Sequence, residues 1–545
     1  MSLLQIGTSG LLASQKSLSV VSNNIANAET EGYSRQLVQY TPNYTFYPTL
    51  GALGTGVTAN SVNRIASSFL TAELWDSQSR YNNNEVRAQY LNELDQRLGN
   101  ESLSLATGFD NFFTALNGSS IDPFSSSARR VVLTESEALA ERFNTQFNYV
   151  DSQAIMIGRQ LEATTAQANS LLENIAEFNK ELIALSTSDQ PANELLDKRD
   201  LAIRQLSELV TVNAMEQKDG TINIYMKTGQ ALVSSSRYNT LNVAGVVTDT
   251  DGFNVMLNTE SLETQLNSSI GGILGGLLGY QANELVQARN ELGRLALVFS
   301  DQVNQQLLAG EDLNGNNGIA LFSDLNTLAG AYTPLDSVSS AVSTLRIADT
   351  NQLMASDYDL RVDNSGNYSI TRRRDNAIIS SGLLSGGSVD TLAFDGVEID
   401  IDGAATDQFY RLSPLRYAAR DFGVVMSDPE ELAYAQPGGG TGDNRNLLEL
   451  IGLQQKKVMN NSQTTLGQGY ASFVSDIAVL TSKVKTELEG NTKLLNQAET
   501  ARSSFSGVNL DEEAASLLRF QQLYSANAQV ISVARTTFDS LLGIF

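Results

Sequence analysis

Carboxylates are the residues of this chain that could do chemistry. Its 545 residues include 61 Asp and Glu but no cysteine and no histidine. The first absence removes thiolate nucleophiles, disulfides and Cys-ligated zinc. The second removes Ser-His and Cys-His pairs and His-ligated metals. Acid–base work by paired carboxylates, as in glycoside hydrolysis, survives that filter. Its candidates are Asp395, Glu398, Asp400 and Asp402, in and around the strand-like run Val397-Glu-Ile-Asp-Ile401. Asp197 and Asp200 are a second carboxylate pair. They lie three apart on one helix face, within Asn193-Glu-Leu-Leu-Asp-Lys-Arg-Asp-Leu-Ala202, where they can flank Arg199 or reach Arg204. A structural ion-pair cluster is the better reading of that pattern than a catalytic pair.

Three other motifs approach known sites and fall short. Asp312-Leu-Asn-Gly-Asn-Asn-Gly318 supplies the first calcium-loop ligands at Asp312, Asn314 and Asn316, but Asn317 stands where glycine is needed and Ser323 where glutamate is needed. It reads as a turn. Gly271-Gly-Ile-Leu-Gly-Gly-Leu-Leu-Gly279 lacks the Gly-Lys-Ser/Thr ending of a phosphate loop, and no basic residue follows until Arg289. It reads as the flexible or close-packed beginning of a helix. Arg372-Arg-Arg374 is a short basic run, read as a solvated strand edge or a docking contact. No catalytic residue, no cofactor and no metal is therefore expected.

The net charge of −25 repels phosphate backbones, so a nucleic-acid partner is not expected. No apolar run of about 18 residues occurs, so no membrane-spanning helix is expected. The opening Met1-Ser-Leu-Leu-Gln-Ile-Gly-Thr-Ser-Gly10 has no basic stretch and only short apolar runs, which does not fit a cleavable secretion signal. The length calls for three or four domains.

The elements that organise the chain are its two ends. Leu4, Leu11, Leu18 and Ile25 recur every seven residues, with Ser14, Val21 and Ala28 as companions. The final segment repeats the pattern at Leu510, Leu517, Tyr524, Ile531, Phe538 and Phe545, with Phe520, Ala534 and Leu541 three residues after members of that series. A seven-residue repeat puts apolar side chains along one seam of a helix, and the seam wants a partner. The simplest arrangement pairs the two terminal helices and hangs the rest between them. Burial of these anchors barely matches the entropy of ordering the ends, so the seam is expected to firm up only among like molecules.

Between the ends, Tyr33 to about Asn63 reads as an extended hairpin or long loop, rich in Tyr40, Tyr44, Phe46 and Tyr47 with Pro and Gly turn-formers. Helical periodicity runs from Ile65 to Leu98, from Ala128 to Ser186 with one break allowed, and from Leu195 to Leu209. Residues 211–262 read as a small β insertion, carrying the alternating run Thr221–Met226 and turns at Asp219-Gly220 and Asp251-Gly252. A helix is expected from about Gly279 to Leu308, and strands over 326–435. Pro437-Gly-Gly-Gly-Thr-Gly442 reads as a hinge back to helices that run from Asn446 almost to the end, with a break near Gly507.

Residues 22–36, Ser-Asn-Asn-Ile-Ala-Asn-Ala-Glu-Thr-Glu-Gly-Tyr-Ser-Arg-Gln, resemble the N-terminal signature of flagellar axial proteins, the family of rod, hook and hook-associated subunits. The signature positions are Ser22, Asn23, Asn24, Ile25, Ala26, Asn27, Gly32 and Tyr33. Gly32-Tyr-Ser-Arg-Gln36 is similar to the hook-associated branch, as are Leu195–Asp200, Gly275–Leu278, Asp312–Gly315 and Gly442–Asn444. Ser506–Ala514 and Phe520–Ala528 resemble the family's C-terminal helix.

The resemblance implies a multidomain α+β subunit: a terminal α-helical coiled coil, a helical rod-like domain with a small β insertion, and an outer β-rich domain. The division it suggests is 1–32, 33–325 (insertion about 211–262), 326–436, 437–505 and 506–545. It implies a non-enzymatic part of the bacterial flagellum at the hook–filament junction, outside the cell, exported by the type III apparatus with a chaperone over the last helix. It also implies neighbours: a ring of like subunits, the hook protein and hook-associated protein 3. The expected assembly interface is Leu4, Leu11, Leu18, Val21, Ile25, Leu510, Leu517, Phe520, Tyr524, Ile531, Phe538, Leu541 and Phe545. The alternatives are another axial subunit, hook or rod, or an axial subunit carrying a peptidoglycan hydrolase.

Overall fold

The computed structural model describes residues 2–543 apart from 48–50, 187–191, 246–251, 260–261, 327–331 and 336–339. Phe545 and the side chain of Leu541 lie outside the described residues.

Two long helices begin and end the chain: α1, Ser2–Ala26, leads into a hairpin of β1, Gln36–Tyr47, and β2, Gly51–Arg64. The helical body follows with α2, Ser68–Leu98, α3, Leu105–Ser119, α4, Ser126–Ser186, and α5, Asn193–Leu209. Side chains set these boundaries. Ser67 accepts from Leu70 N at 3.4 Å to start α2, and Ser104 accepts from Ala106 N at 3.2 Å to start α3. The 61 residues of α4 form one unbroken helix, about 90 Å long, where the sequence allowed a break. α3 is a helix beyond those expected from the periodicity, and Leu105, Phe109, Phe112, Phe113 and Leu116 bury one of its faces.

The insertion is two small antiparallel sheets. One holds β3, Val212–Glu216, β4, Ile222–Met226, β5, Ala231–Ser234, and β6, Arg237–Tyr238. The other holds β7, Thr240–Gly245, β8, Phe253–Asn258, and β9, Glu263–Leu266. The helix expected from Gly279 begins earlier. It is α6, Gly272–Tyr280, then a π turn over Gln281–Leu285, then α7, Val286–Leu308. Gly272 has a φ of 59°, and a Cβ there would lie 2.4 Å from the Leu209 carbonyl carbon, so the glycine run is a close-packed helix start. The π turn aims Gln281 at the insertion, where it both accepts from Phe253 N (3.1 Å) and donates to Phe253 O (2.9 Å).

The outer strands are β10, Tyr332–Pro334, β11, Val342–Ile347, β12, Tyr358–Val362, β13, Asn367–Arg372, β14, Ala377–Leu383, β15, Asp390–Phe394, β16, Val397–Ile401, and β17, Gln408–Leu412. They form a five-stranded sheet in the order β10-β17-β12-β13-β14 and a three-stranded sheet, β11-β16-β15, all antiparallel. The chain then returns through α8, Ala418–Asp421, α9, Arg445–Gly452, and α10, Leu466–Ser506, to α11, Leu510–Leu542. A capping box of Thr465 and Gln468 starts α10.

Residues 413–436, grouped with the outer strands on sequence, pack on the helical body. Phe422 stacks on Phe322 with ring centroids 4.7 Å apart, and both rings join Phe112, Phe143 and Phe299 in one buried aromatic cluster. Burying those rings outweighs the composition of the stretch, which carries no helical period for a sequence reading to catch.

Candidate assembly interface

α1 and α11 lie along one another, but the large heptad residues do not form the line of closest contact. A Cβ at Gly7 would lie 2.8 Å from Ile531 Cγ1, and one at Gly10 would lie 2.5 Å from Asn527 Oδ1. Asn527 Nδ2 is 3.5 Å from the Ser14 hydroxyl. Gly7, Gly10, Ser14, Ser17, Val21 and Asn24 succeed one another at alternating intervals of three and four, and all but half-buried Gly10 are buried. This small-residue stripe brings the backbones together. Leu11, Leu18 and Ile25 flank it half-buried, and Leu4 is 48% exposed. On α11, Leu517, Phe520 and Ile531 are half-buried, while Leu510, Tyr524 and Phe538 are exposed. The seven-residue period was therefore legible, but its leucines sit beside the contact line and Val21 alone among the expected α1 residues is buried in it.

α1 also carries the hairpin. Val57 N donates to Ser9 Oγ at 3.2 Å beneath Gly56, whose φ is 123°. Ser17 and Tyr40 share a hydroxyl–hydroxyl hydrogen bond, and Lys16 Nζ reaches Ala59 O at 3.5 Å. The hairpin thus packs on α1. What remains open is an apolar groove of about 830 Å³ between Leu3, Leu4 and Leu12 of α1 and Ile531, Ala534 and Phe538 of α11. Leu12 and Phe538 are 58% and 59% exposed. Among the described residues nothing covers this groove, and apolar surface left in water favours a partner.

The signature residues build the joint between this terminal unit and the body. Asn24 is fully buried: its Oδ1 accepts from Gln36 N (3.0 Å) and the Tyr33 hydroxyl (2.8 Å), and its Nδ2 donates to Glu513 Oε2 (3.0 Å). Arg35 donates through Nε to Glu513 at 2.7 Å and through Nη1 to Glu512 at 2.8 Å. Those carboxylates stand in the first turn of α11, where negative charge suits the helix dipole. Arg35 N donates to Ser506 O at 2.9 Å, and Asn509 Oδ1 caps α11 by accepting from Asp511 N at 3.0 Å.

The body side of the joint is α5. Asp197 accepts from Ser34 N (3.1 Å) and Arg64 (3.0 Å), and Asp200 accepts from the same guanidinium at 2.7 Å. Burial pulls Arg64 down, but Asp200 and Asp197 hold it above its ordinary value. The two aspartates therefore form the expected ion-pair cluster, with a partner the sequence spacing did not suggest. Arg199 is buried elsewhere, donating to Gly220 O at 2.8 Å, and Arg204 pairs with Glu31. The Tyr33 hydroxyl is pushed up to about 12, by burial first and then by Asp197.

The remaining candidates are engaged structurally. Asp312 Oδ1 accepts from Asn314 N and Asn316 N at 2.8 and 2.7 Å, closing its own turn. Asp400 accepts from Thr344, Thr391 and Arg346, each at 2.7 Å, which draws its carboxyl down to about 2. Glu398 shares Arg346, Asp395 takes Arg372 and Tyr358, and Asp402 accepts from Ala404 N. Within the basic run, Arg372 pairs with Asp375 and Asp395, Arg373 lies 3.8 Å from Asp359, and Arg374 lies 3.5 Å from Glu291.

Four family models match the chain: flagellar hook-associated protein FlgK helical domain over residues 91–322, flagellar hook-associated protein 1 D2-like domain over 336–410, flagella basal body rod protein over 4–33, and flagellar basal body rod FlgEFG protein C-terminal over 501–544. The last two coincide with α1 and α11. The chain is 32% identical over 560 residues to flagellar hook-associated protein 1 of Salmonella typhimurium (strain LT2), and 32% identical over 553 residues to the Escherichia coli (strain K12) protein of that name, with 100% of each chain covered in both cases. Its fold is similar to a solved structure of the flagellar hook junction protein FlgK from Burkholderia pseudomallei, with 22% identity and a TM-score of 0.72, covering 80% of this chain and 100% of the other.

Proposed function

The chain belongs to the flagellar hook-associated protein 1 family, and from that membership we propose that it is the structural subunit of the hook–filament junction, held there by its own two ends. It is a structural protein of the flagellum and not an enzyme. The observation that carries the joining mechanism is the open groove between α1 and α11, with Leu4, Leu12 and Phe538 about half or more exposed. Copies that lay these faces together bury the apolar surface that each alone leaves wet, so assembly runs on burial with no bond made or broken.

The interface we propose keeps the thirteen positions read from sequence and adds Gly7, Gly10, Leu3 and Leu12 to them. In a ring of like subunits the terminal pairs form the inner, coiled-coil tube, and the helical body and outer sheets project from it. The hook protein is the neighbour on one side and hook-associated protein 3 on the other. The division into a terminal unit, a helical body and an outer β-rich domain follows the same reading. Export outside the cell uses the type III apparatus, with a chaperone over the apolar face of α11.

Deleting residues 510–545 tests the reading. The shortened chain keeps the thermal transition of the body, and electron microscopy of a strain dependent on it finds hooks without filaments and flagellin shed into the medium. Filaments of ordinary number and length on such hooks overturn the proposal.

A further inference from the structure

The end of the body opposite the joint is the turn between α3 and α4. α4 runs from this turn back toward α5, which carries the joint residues Asp197 and Asp200. Ile121 in the turn is 87% exposed, more than any other large apolar side chain among the described residues, and Phe124 is 61% exposed.

The turn that presents them is pinned by hydrogen bonds on both flanks. Ser125 N donates to Asp122 O at 3.1 Å, and Pro123, buried, fixes the backbone between them. Arg129 is 2% exposed, and its Nε donates to Pro123 O at 2.6 Å while its Nη1 donates to Leu432 O at 2.5 Å; its guanidinium lies 4.0 Å from the centre of the Tyr434 ring. On the other side Asn444 Nδ2 donates to Ser120 O at 3.2 Å. Two distant segments thus clamp both flanks of the turn. A clamp of this kind explains a fixed backbone, but not the placement of isoleucine and phenylalanine in water at its tip. Apolar side chains held ready in one geometry dock without an ordering cost, which is how interface anchors act.

The surroundings say what kind of surface fits. Asp122 lies within the turn, Leu313 N donates to Glu430 O at 3.1 Å beside it, and Asp312, Asp428 and Glu431 belong to the same two loops. Arg129 is spent inside; Arg130 and Arg445 are the exposed cations near these loops, and Arg445 is paired with Asp443. This pole is an apolar tip with an acidic rim, on a chain whose net charge is −25. The same pole of a second copy meets it with like charge. We propose that the Ile121–Phe124 turn is a docking knob for a neighbouring axial subunit of another kind, one offering an apolar pocket edged by Lys or Arg. The proposal rests on the junction reading above and adds a contact at the opposite end from the terminal helices.

The chain has no cysteine, so Ser127→Cys beside the knob carries a benzophenone maleimide at one place alone. In illuminated flagella that contain this full-length variant, the expected adduct joins position 127 to a different axial protein, at a peptide containing Lys or Arg. Ile121→Ser with Phe124→Ser in the same background leaves the thermal transition unchanged and weakens docking by about tenfold or more, read as lost adduct. Adducts only between copies of this chain, no adduct, or an undiminished adduct in the double variant overturns the knob. A chain seated in the flagellum without an adduct removes the knob alone. A chain absent from purified flagella removes the junction reading with it.

Discussion

Arg35 and Glu513 stand 478 positions apart in the chain, yet the guanidinium Nε lies 2.7 Å from the carboxylate. Glu513 is 1% exposed and shares its other oxygen with Asn24. One ion pair therefore ties the connector after the first helix to the first turn of the last. The end of α1 and the start of α11 are thereby set in register at the joint.

Arg35→Ala leaves that buried carboxylate with Asn24 as its remaining side-chain donor. Removing one member of a buried pair costs about 3–5 kcal/mol; Arg35 is 20% exposed and Asn24 stays, so a loss of about 2 kcal/mol is expected. It falls on the terminal unit. Amide exchange should speed up over 510–530 while the body, measured over α4, keeps its protection. Equal loss in both regions would mean that the joint stabilises the whole chain.

Gly7 and Gly10 set how close α1 comes to α11. Replacing both with Val drives side chains into Ile531 and Asn527. Overpacking of this kind costs about 1–3 kcal/mol per site. The double variant should lose helix pairing, seen as faster exchange at both ends, and should not join hooks to filaments. Normal junctions made by it would show that the small-residue stripe is dispensable.

Leu12→Ser and Phe538→Ser act on the open groove instead. Both positions are mostly exposed, so the stability of the single chain should change by no more than about 0.5 kcal/mol each. Junction formation should fall all the same, because the apolar area lost is the area that copies bury together. A drop in the thermal transition matching the drop in assembly would assign these residues to the fold of the single chain.

Tyr33 gives the joint an alkaline limit. Its hydroxyl donates to Asn24 and ionises near 12 in the fold, against 10.0 in a free chain. A raised folded value means the folded chain holds its proton longer. The contribution is complete below pH 10 and is lost as pH rises toward 12, because there the unfolded chain gains by ionising first. Tyr33 is partly open to solvent, so the loss is on the order of 1 kcal/mol after screening. Denaturant melts of the native chain and Tyr33→Phe should differ by a constant amount below pH 9.5 and converge between pH 10 and 12. Parallel curves across that window would detach Tyr33 from the joint.

The reach of the sequence shows in particular residues. Its seven-residue period picks out two helices that pack together, and Leu11, Leu18, Leu517 and Ile531 are half-buried there. It could not choose between leucines and the glycine-serine stripe beside them, since both share the period; only the approach of Ile531 to Gly7 decides it. Asp197 and Asp200 read as an ion-pair cluster from their spacing on one helix face. Their cation, Arg64, comes from 133 and 136 positions away, a distance that no local pattern spans. The same holds for Arg129, whose buried clamp on the α3–α4 turn involves carbonyls up to 303 positions distant. Local period and capping chemistry are written along the chain, whereas long-range polar partners are fixed by the packing of the whole.

The open groove is the feature on which the account turns, and a unique thiol tests it. Leu12→Cys places the only cysteine of the chain in that groove, and Leu262→Cys places one on the β insertion as a control. In the free protein both should react with maleimide at similar rates. In purified flagella carrying each variant, the thiol at 12 should be protected by at least about tenfold while the thiol at 262 stays reactive. A thiol at position 12 that reacts as fast in the flagellum as in the free chain would contradict the account.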